Sequence, residues 1–597
     1  MARTKAAIAT CTLALLPVLL PAQEIDTVLF EKDRKSFRLI DQIERPAERR
    51  ALESLFTTRD PAQRLSRAES FLESYPASAF LSVVYDVAAR SCLDLKRPEC
   101  ALRYASQSLR LLPENPLLLV SLAELQAAGG LKQQAASSAR QALDYLDRYA
   151  RPSGFTEAQW AALEPKLRRT ADSTLMATGT PPRRVPALPQ EAAEYAGSQA
   201  CRSCHSREYA AWQFTGMARM FAPYRAANVF GRFDGAVREG LIRPVEEDGR
   251  HLFEVKDSEG KWERQPVHFT IGSKWQQAYA TQLESGRIHV FPIQYNRLTG
   301  QWFNYWKKID SPTAIRGDVA RFLEFSEATS YQRNCAPCHT SQLQLHGSAD
   351  VPDAIGFAEP GVNCEMCHGP SARHARAMAS GTQFDQPASS PPVRFRNLDA
   401  QTYIQICAQC HRQSAMFERG PRGEMNYSGS SPHFFSKAKS RPLIEFSRKA
   451  FYRDGRFRET TFIVEAFERT KCFRLGGAHC GHCHNPHPRD FPANLKALKF
   501  PDHPDRMCTQ CHGQLGRQIL AHTRHQPGSE GASCIACHMP KIANSLEFRA
   551  RTHTIDDIPD ASMTQRFGLE ESPNACLDCH PDRDVAWVAG RLRDWYP

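Results

Sequence analysis

The sequence predicts a mainly α chain with little regular secondary structure over much of its length, and three observations carry that expectation. An Ala- and Leu-rich stretch from Glu48 to Tyr149 places its apolar residues at helical spacing. The pentapeptide Cys-x-x-Cys-His then occurs eight times from Cys201 to His580, in sequence rich in Pro, Gly and Ser. Between its first two copies the pattern changes to alternating strands, a small β-rich insertion at about residues 240–312.

The N-terminus comes first in chain order. Arg3 and Lys5 precede an apolar run from Ala6 to Leu20, followed by Pro21-Ala22-Gln23, which reads as a secretory signal over residues 1–22. The alternative is an uncleaved anchor, since Leu20 stands where a small residue is usual before cleavage. No later stretch is long and apolar enough to span a bilayer. Export places the chain in the periplasm or outside the cell, where thiols oxidise.

Residues 23–177 are expected to form the helical region, broken at Tyr75-Pro76, Leu112-Pro113 and Gly129-Gly130. A 34-residue offset maps Ala101 onto Ala135, Ala105 onto Ala139, Leu109 onto Leu143 and Leu112 onto Leu146. That period, with Ala where helices cross closely, resembles tetratricopeptide repeats over roughly one hundred residues. The diagnostic Trp and Gly positions are missing, so a plain helical bundle stands beside it. Stacked helix pairs of this kind leave a concave face, which implies a docking surface for a redox protein partner. Cys92 and Cys100, eight residues apart around a helix turn, form a disulfide or stay as two buried thiols. Residues 178–194, with Pro181, Pro182, Pro186 and Pro189, read as a stiff linker into the region 195–597.

In that region the eight Cys pairs are Cys201 and Cys204, Cys335 and Cys338, Cys364 and Cys367, Cys407 and Cys410, Cys480 and Cys483, Cys508 and Cys511, Cys534 and Cys537, and Cys576 and Cys579. The His that closes each is His205, His339, His368, His411, His484, His512, His538 or His580. Each pentapeptide is the attachment signature of a c-type haem, so eight covalently attached haem groups are expected, each with its His on the iron. Two thiols on one helical turn bond both vinyl groups and leave the next imidazole under the metal. Zinc ribbons and thioredoxin-like sites use Cys-x-x-Cys without calling for the His. Seven motifs fit within 246 residues, so porphyrin faces must supply much of the buried apolar surface. Cys472, outside every motif, reads as a packed thiol.

The first gap is 134 residues long and carries the insertion, with strands expected over 251–255, 261–271, 287–296 and 301–309. Turns are expected at Asp257-Ser258-Glu259-Gly260 and Leu298-Thr299-Gly300. The formal charge of +11 suggests an affinity for nucleic acid or membranes only until the cofactors are counted. Sixteen propionates, with Arg3 and Lys5 removed, bring the balance to about −7 with ferrous iron and about +1 with ferric. Much of the Lys and Arg excess therefore pairs with propionates, and no nucleic-acid motif is present.

Thirteen His remain as possible sixth ligands. An iron with two strong axial ligands can only pass electrons, whereas an open position can bind and transform a small molecule. His374, six residues past His368, and His487, three past His484, cannot fold back onto their own iron and are expected to cap a neighbouring haem. His522, His525 and His553, in polar, turn-rich sequence, are further candidates. His346, His433 and His503 stand at even weight. His251, His268 and His289 fall on expected strands, and His479 and His482 crowd the fifth motif, so these five are poorer candidates.

Gly197-Ser198-Gln199-Ala200-Cys201, Trp212 to Met220, Cys364-Glu365-Met366-Cys367-His368-Gly369-Pro370, Cys483-His484-Asn485-Pro486-His487 and Cys537-His538-Met539-Pro540 resemble exported multihaem cytochromes carrying tetratricopeptide repeats. The haem part of that family is related to the tetrahaem partners of hydroxylamine oxidoreductase. In the family the stretch after the first motif often reads Trp-x-x-Ser-x-His, with the His a distal ligand. Here Met217 stands in that place, which implies a His/Met iron at His205, or else a Met217 that packs in a core.

The expected function is electron transfer through closely spaced haems, with the repeat region docking a redox partner. The competing expectation is a multihaem oxidoreductase resembling octahaem hydroxylamine oxidoreductases or multihaem nitrite reductases, with one open haem acting on a small nitrogen or sulfur compound. All eight motifs end in His, which weakens the nitrite reductase version. The β insertion, with His268, Trp275, Tyr279 and His289, is where an open iron near the first motif is expected. A filament-forming cytochrome is a third, structural reading. No hydrolase triad, phosphate loop or carboxylate pair stands out.

Overall fold

A computed structural model describes most of residues 43–596. The segments 1–42, 180–193, 306–318, 346–354, 383–392, 413–416, 420–424 and 428–441, and several shorter stretches, lie outside the described residues. The expected signal, most of the expected linker, and His346 and His433 fall in those segments.

Seven helices open the described chain: α1 Pro46–Thr57, α2 Pro61–Ser74, α3 Leu81–Asp94, α4 Pro98–Leu111, α5 Pro116–Ala128, α6 Lys132–Arg148 and α7 Glu157–Ala177. Their ends follow from local chemistry. Asp60 and Asn115 accept hydrogen bonds from the amides of Gln63 and Leu118, each with Pro at the first helical position. Thr156 and Gln159 cap α7 reciprocally. The expected breaks at Tyr75, Leu112 and Gly129 each follow directly on a helix end. Ala101 and Ala105 on α4 and Ala135 and Ala139 on α6 are buried, where only a methyl group lets helices approach closely. Cys92 and Cys100 are joined as a disulfide across the α3–α4 turn.

The helices share their cores with the chain's C-terminal part. Met563 and Phe567 pack with Leu55, Phe71 and Val84, and Phe451, Phe457 and Phe462 pack with Leu119, Ala139 and Tyr145. Ion pairs reinforce this joint. Arg469 donates to both carboxylate oxygens of Glu114 at 2.7 and 2.8 Å while lying 3.9 Å over the ring of Phe457. Glu468 pairs with Arg148 at 3.1 Å and also with Arg412, the residue after His411.

The insertion holds two antiparallel sheets. One orders β1 (Phe221–Pro223), β5 (Phe269–Ile271), β6 (Gln276–Gln282), β8 (Ile293–Asn296) and β9 (Gln301–Asn304), with β7 (Ile288–Val290) also on β6. The other orders β2 (Ile242–Glu247), β3 (Arg250–Lys256) and β4 (Trp262–Pro266). Phe253, Tyr279, Phe291 and Ile293 fill the space between them. Two expected strands are each broken in two, and Pro marks both breaks. The chain leaves one sheet at Pro266 and joins the other at Phe269, and Pro292 separates β7 from β8; proline has no amide to donate to a ladder. The Asp257–Gly260 turn forms as expected, with the Asp257 carboxylate accepting from the amides of Glu259 and Lys261 and Gly260 at φ +83°. Beyond Phe325 strands are short and helices mostly one or two turns long, apart from Ala372–Ala379, Ala400–His411 and Val585–Trp595. Among the described residues no helix is long and apolar enough to cross a membrane.

Candidate haem-binding core

Each motif begins as one helical turn. The amides of His205, His368, His484, His512 and His580 donate to the carbonyl of the first Cys in their own motif at 2.8–2.9 Å, and that of His339 does so at 3.1 Å. This i to i−4 bond sets both thiols and the imidazole on one side of the turn.

Five of the eight motif imidazoles face a second imidazole. Ring centres are 6.4 Å apart for His205 and His374, 6.2 Å for His368 and His487, 6.4 Å for His484 and His553, 6.2 Å for His538 and His522, and 6.3 Å for His580 and His525. The ring planes of these pairs diverge by between 4° and 36°. A nitrogen–metal bond of about 2 Å on each side, with about 1.1 Å from nitrogen to ring centre, puts two rings that share a metal about 6.2 Å apart. The spacing is therefore that of two imidazoles on one iron, too wide for ring stacking. Burial pushes His368 and His553 down to about 4, as it does His339, so these rings are neutral and keep a lone pair for a metal.

The second partners are the five His expected as distal ligands, so His374, His487, His522, His525 and His553 all stand opposite a motif imidazole. Met217 is the other residue expected opposite His205. The ring that faces His205 belongs to His374, while the Met217 backbone carbonyl accepts from the Val362 amide at 3.0 Å. Its side chain lines a large cavity whose wall includes neither His205 nor His374.

That cavity, of ≈ 2720 Å³, is lined by Cys and His residues of the second to eighth motifs. Among its lining residues are eight Lys or Arg side chains and a single carboxylate, that of Glu459. Its wall is otherwise mostly apolar, with Phe395, Ile404, Phe457, Leu498 and Ile519. Apolar walls, paired thiols, facing imidazoles and a surplus of cations fit the face, vinyl groups, iron and propionates of haem respectively.

Neighbouring motifs also touch one another. Glu365, inside the third, accepts from the amides of Ala196 and Gly197 ahead of the first at 2.9 and 2.8 Å. Thiol sulfurs come within hydrogen-bonding reach between Cys201 and Cys364, Cys338 and Cys410, Cys407 and Cys480, and Cys508 and Cys534. Gln409 of the fourth motif donates to the Met366 carbonyl of the third, and Gln510 of the sixth to the His482 carbonyl of the fifth, both at 3.0 Å. Cys537 lies close enough to Cys579 for the one charge to oppose the other's ionisation. The Arg551 guanidinium grips the seventh motif through the carbonyls of Ile535 and Met539 at 2.7 and 2.9 Å. Sequence reasoning missed Glu365, Gln409, Gln510 and Arg551, because a polar residue inside or beside a motif carries no pattern until its partner is known.

The remaining His divide by environment. His251 bonds to the Tyr224 hydroxyl at 2.9 Å, and His268 accepts from the Gln282 amide at 2.9 Å, both roles within the sheets. His289 is buried against Phe291 and the Thr329 hydroxyl. His479 stacks on Tyr403 at 4.0 Å and shares a local cap with His482. Tyr279 belongs to the insertion's core, whereas Trp275 lines the cavity, as does the half-buried Cys472. Among the described residues no second imidazole faces His339, His411 or His512 at the spacing of the five pairs.

Residues 299–369, which span the second and third motifs, match the family model described as cytochrome c554 and c-prime. No curated protein matches the chain. Among solved structures, the outer cell wall cytochrome OcwA is similar at 18% identity and a TM-score of 0.47, over 67% of this chain and 86% of that one. The family match supports a multihaem c-type cytochrome that holds haem covalently and transfers electrons.

Proposed function

We propose that this chain is an exported octahaem c-type cytochrome, periplasmic or extracellular, that conducts electrons along closely spaced haems. The observation that carries it is the set of five facing imidazole pairs at 6.2–6.4 Å, each joining a motif His to a His outside the motifs. Such iron has no vacancy and its chemistry is restricted to one-electron exchange. The contacts between motifs support a path in the order one, three, four, five, six, seven, eight, with the second haem branching from the fourth. Cys204 and Cys579, at the two ends of that path, are exposed, as is Cys511 within it, which suits electrons arriving or leaving at any of the three. The N-terminal helices, read as tetratricopeptide-like repeats, hold a redox partner beside it.

Haem analysis of the purified protein by pyridine haemochromogen and intact mass, with electron paramagnetic resonance of the oxidised form, tests this reading. Eight covalent haems, with at least five low-spin irons, are expected. Fewer than five low-spin bis-imidazole centres would sink it.

A second reading is a multihaem oxidoreductase acting on a small nitrogen or sulfur compound. It is favoured by His339, whose ring is buried with Nδ1 unpartnered and faces no second imidazole among the described residues. One high-spin iron that binds nitrite or hydroxylamine would select it.

A further inference from the structure

The loop between β5 and β6 presents unmet polar groups to the cavity. Ser273, Lys274, Trp275 and Gln276 all line it, and both the Ser273 hydroxyl and the Gln276 Oε1 are buried without a hydrogen-bond partner. Lys274 is half-buried, and among the described residues no carboxylate pairs with it. Burial lowers its pKa with nothing to offset the penalty. An ammonium has three donors and no acceptor function, so a cavity lined with hydrocarbon leaves it unsatisfied. Its course runs over Gly216, where an added Cβ would stand 2.4 Å from Lys274 Cε and 3.1 Å from its Nζ.

We propose that Ser273 and Lys274 form a carboxylate-binding site for a haem propionate in the wall of this cavity. This rests on the reading that the motifs carry haem. The ammonium and the hydroxyl donate to the propionate oxygens, which replaces the missing partners of both groups at once. A fixed positive charge beside a haem favours the reduced form of its iron, since the iron gains an electron on reduction.

Spectropotentiometric titration of the loaded protein tests the assignment, with Lys274→Gln, Lys274→Arg and Gly216→Ala beside the parent. In Lys274→Gln at least one component potential shifts negative while the irons keep their spin states. Lys274→Arg retains the parent potentials, and Gly216→Ala, which displaces the side chain without removing it, gives a smaller shift in the same direction. Unchanged potentials in Lys274→Gln would overturn the proposal. So would a new high-spin, CO-binding iron in that variant, which would make the amine an iron ligand instead. A parent protein that carries no haem would overturn the function proposed above, whereas a parent that titrates normally beside an unshifted Lys274→Gln overturns only this site.

Discussion

His374 follows the third motif in sequence and faces the first in space. Replacing it with Gly is therefore expected to convert one low-spin iron to high-spin and open it to CO, whereas Met217→Ala leaves the spin state of that iron unchanged; electron paramagnetic resonance and CO difference spectra read both. The motif residues were legible because Cys-x-x-Cys-His has one chemical use, and His374 and His487 because a His three to six residues past a motif cannot reach its own iron, whereas His522, His525 and His553 were marked only by their polar, turn-rich surroundings. Which imidazole meets which was not legible, since pairing depends on how separate loops pack. A second expectation at this scale concerns His289, whose burial pushes its pKa down to about 4 from a solvated value of about 6.5. The unfolded chain therefore binds a proton that the folded one refuses, so stability is full above about pH 6.5 and falls toward pH 4. His289→Asn is expected to reduce that loss by about 2 kcal/mol, measured as the difference in unfolding free energy between pH 7 and pH 4.5.

At the scale of elements, the joint between the N-terminal helices and the haem-binding part is a packed core crossed by buried ion pairs. Glu114 is 5% exposed and holds the Arg469 guanidinium through two hydrogen bonds. Glu114→Gln leaves a buried cation without its counter-charge and is expected to cost about 3–5 kcal/mol. The double variant Glu114→Leu with Arg469→Met should recover most of that loss, and thermal unfolding followed by circular dichroism of the holoprotein compares the two. The helices were readable from their apolar spacing and from Pro and Gly at their ends. The joint was not, because Glu114 and Arg469 are far apart in sequence and neither differs from a solvated charge until the fold brings them together. The strands show the same limit in miniature. β6, with three Gln in seven residues, gave no alternation to read, yet it is the central strand, buried on both sides by neighbours that sequence cannot place.

For the whole molecule, the proposed path has one branch, and among the described residues the contacts that join the fourth motif to the sixth run through the fifth. Cys480→Ala with Cys483→Ala is expected to lower the haem count from eight to seven and to slow reoxidation of the remaining haems by an external acceptor by tenfold or more, read by stopped-flow absorbance. The matching change at Cys335 and Cys338, on the branch, should lower the haem count equally and leave that rate nearly unchanged. The interleaving of ligands also bears on how such a protein is made. His374, His487 and His553 each face the motif imidazole two motifs upstream of the one they follow. Haem c is attached after export, so a product clipped ahead of His374, His487 or His553 would present the first, third or fifth motif with its facing imidazole gone.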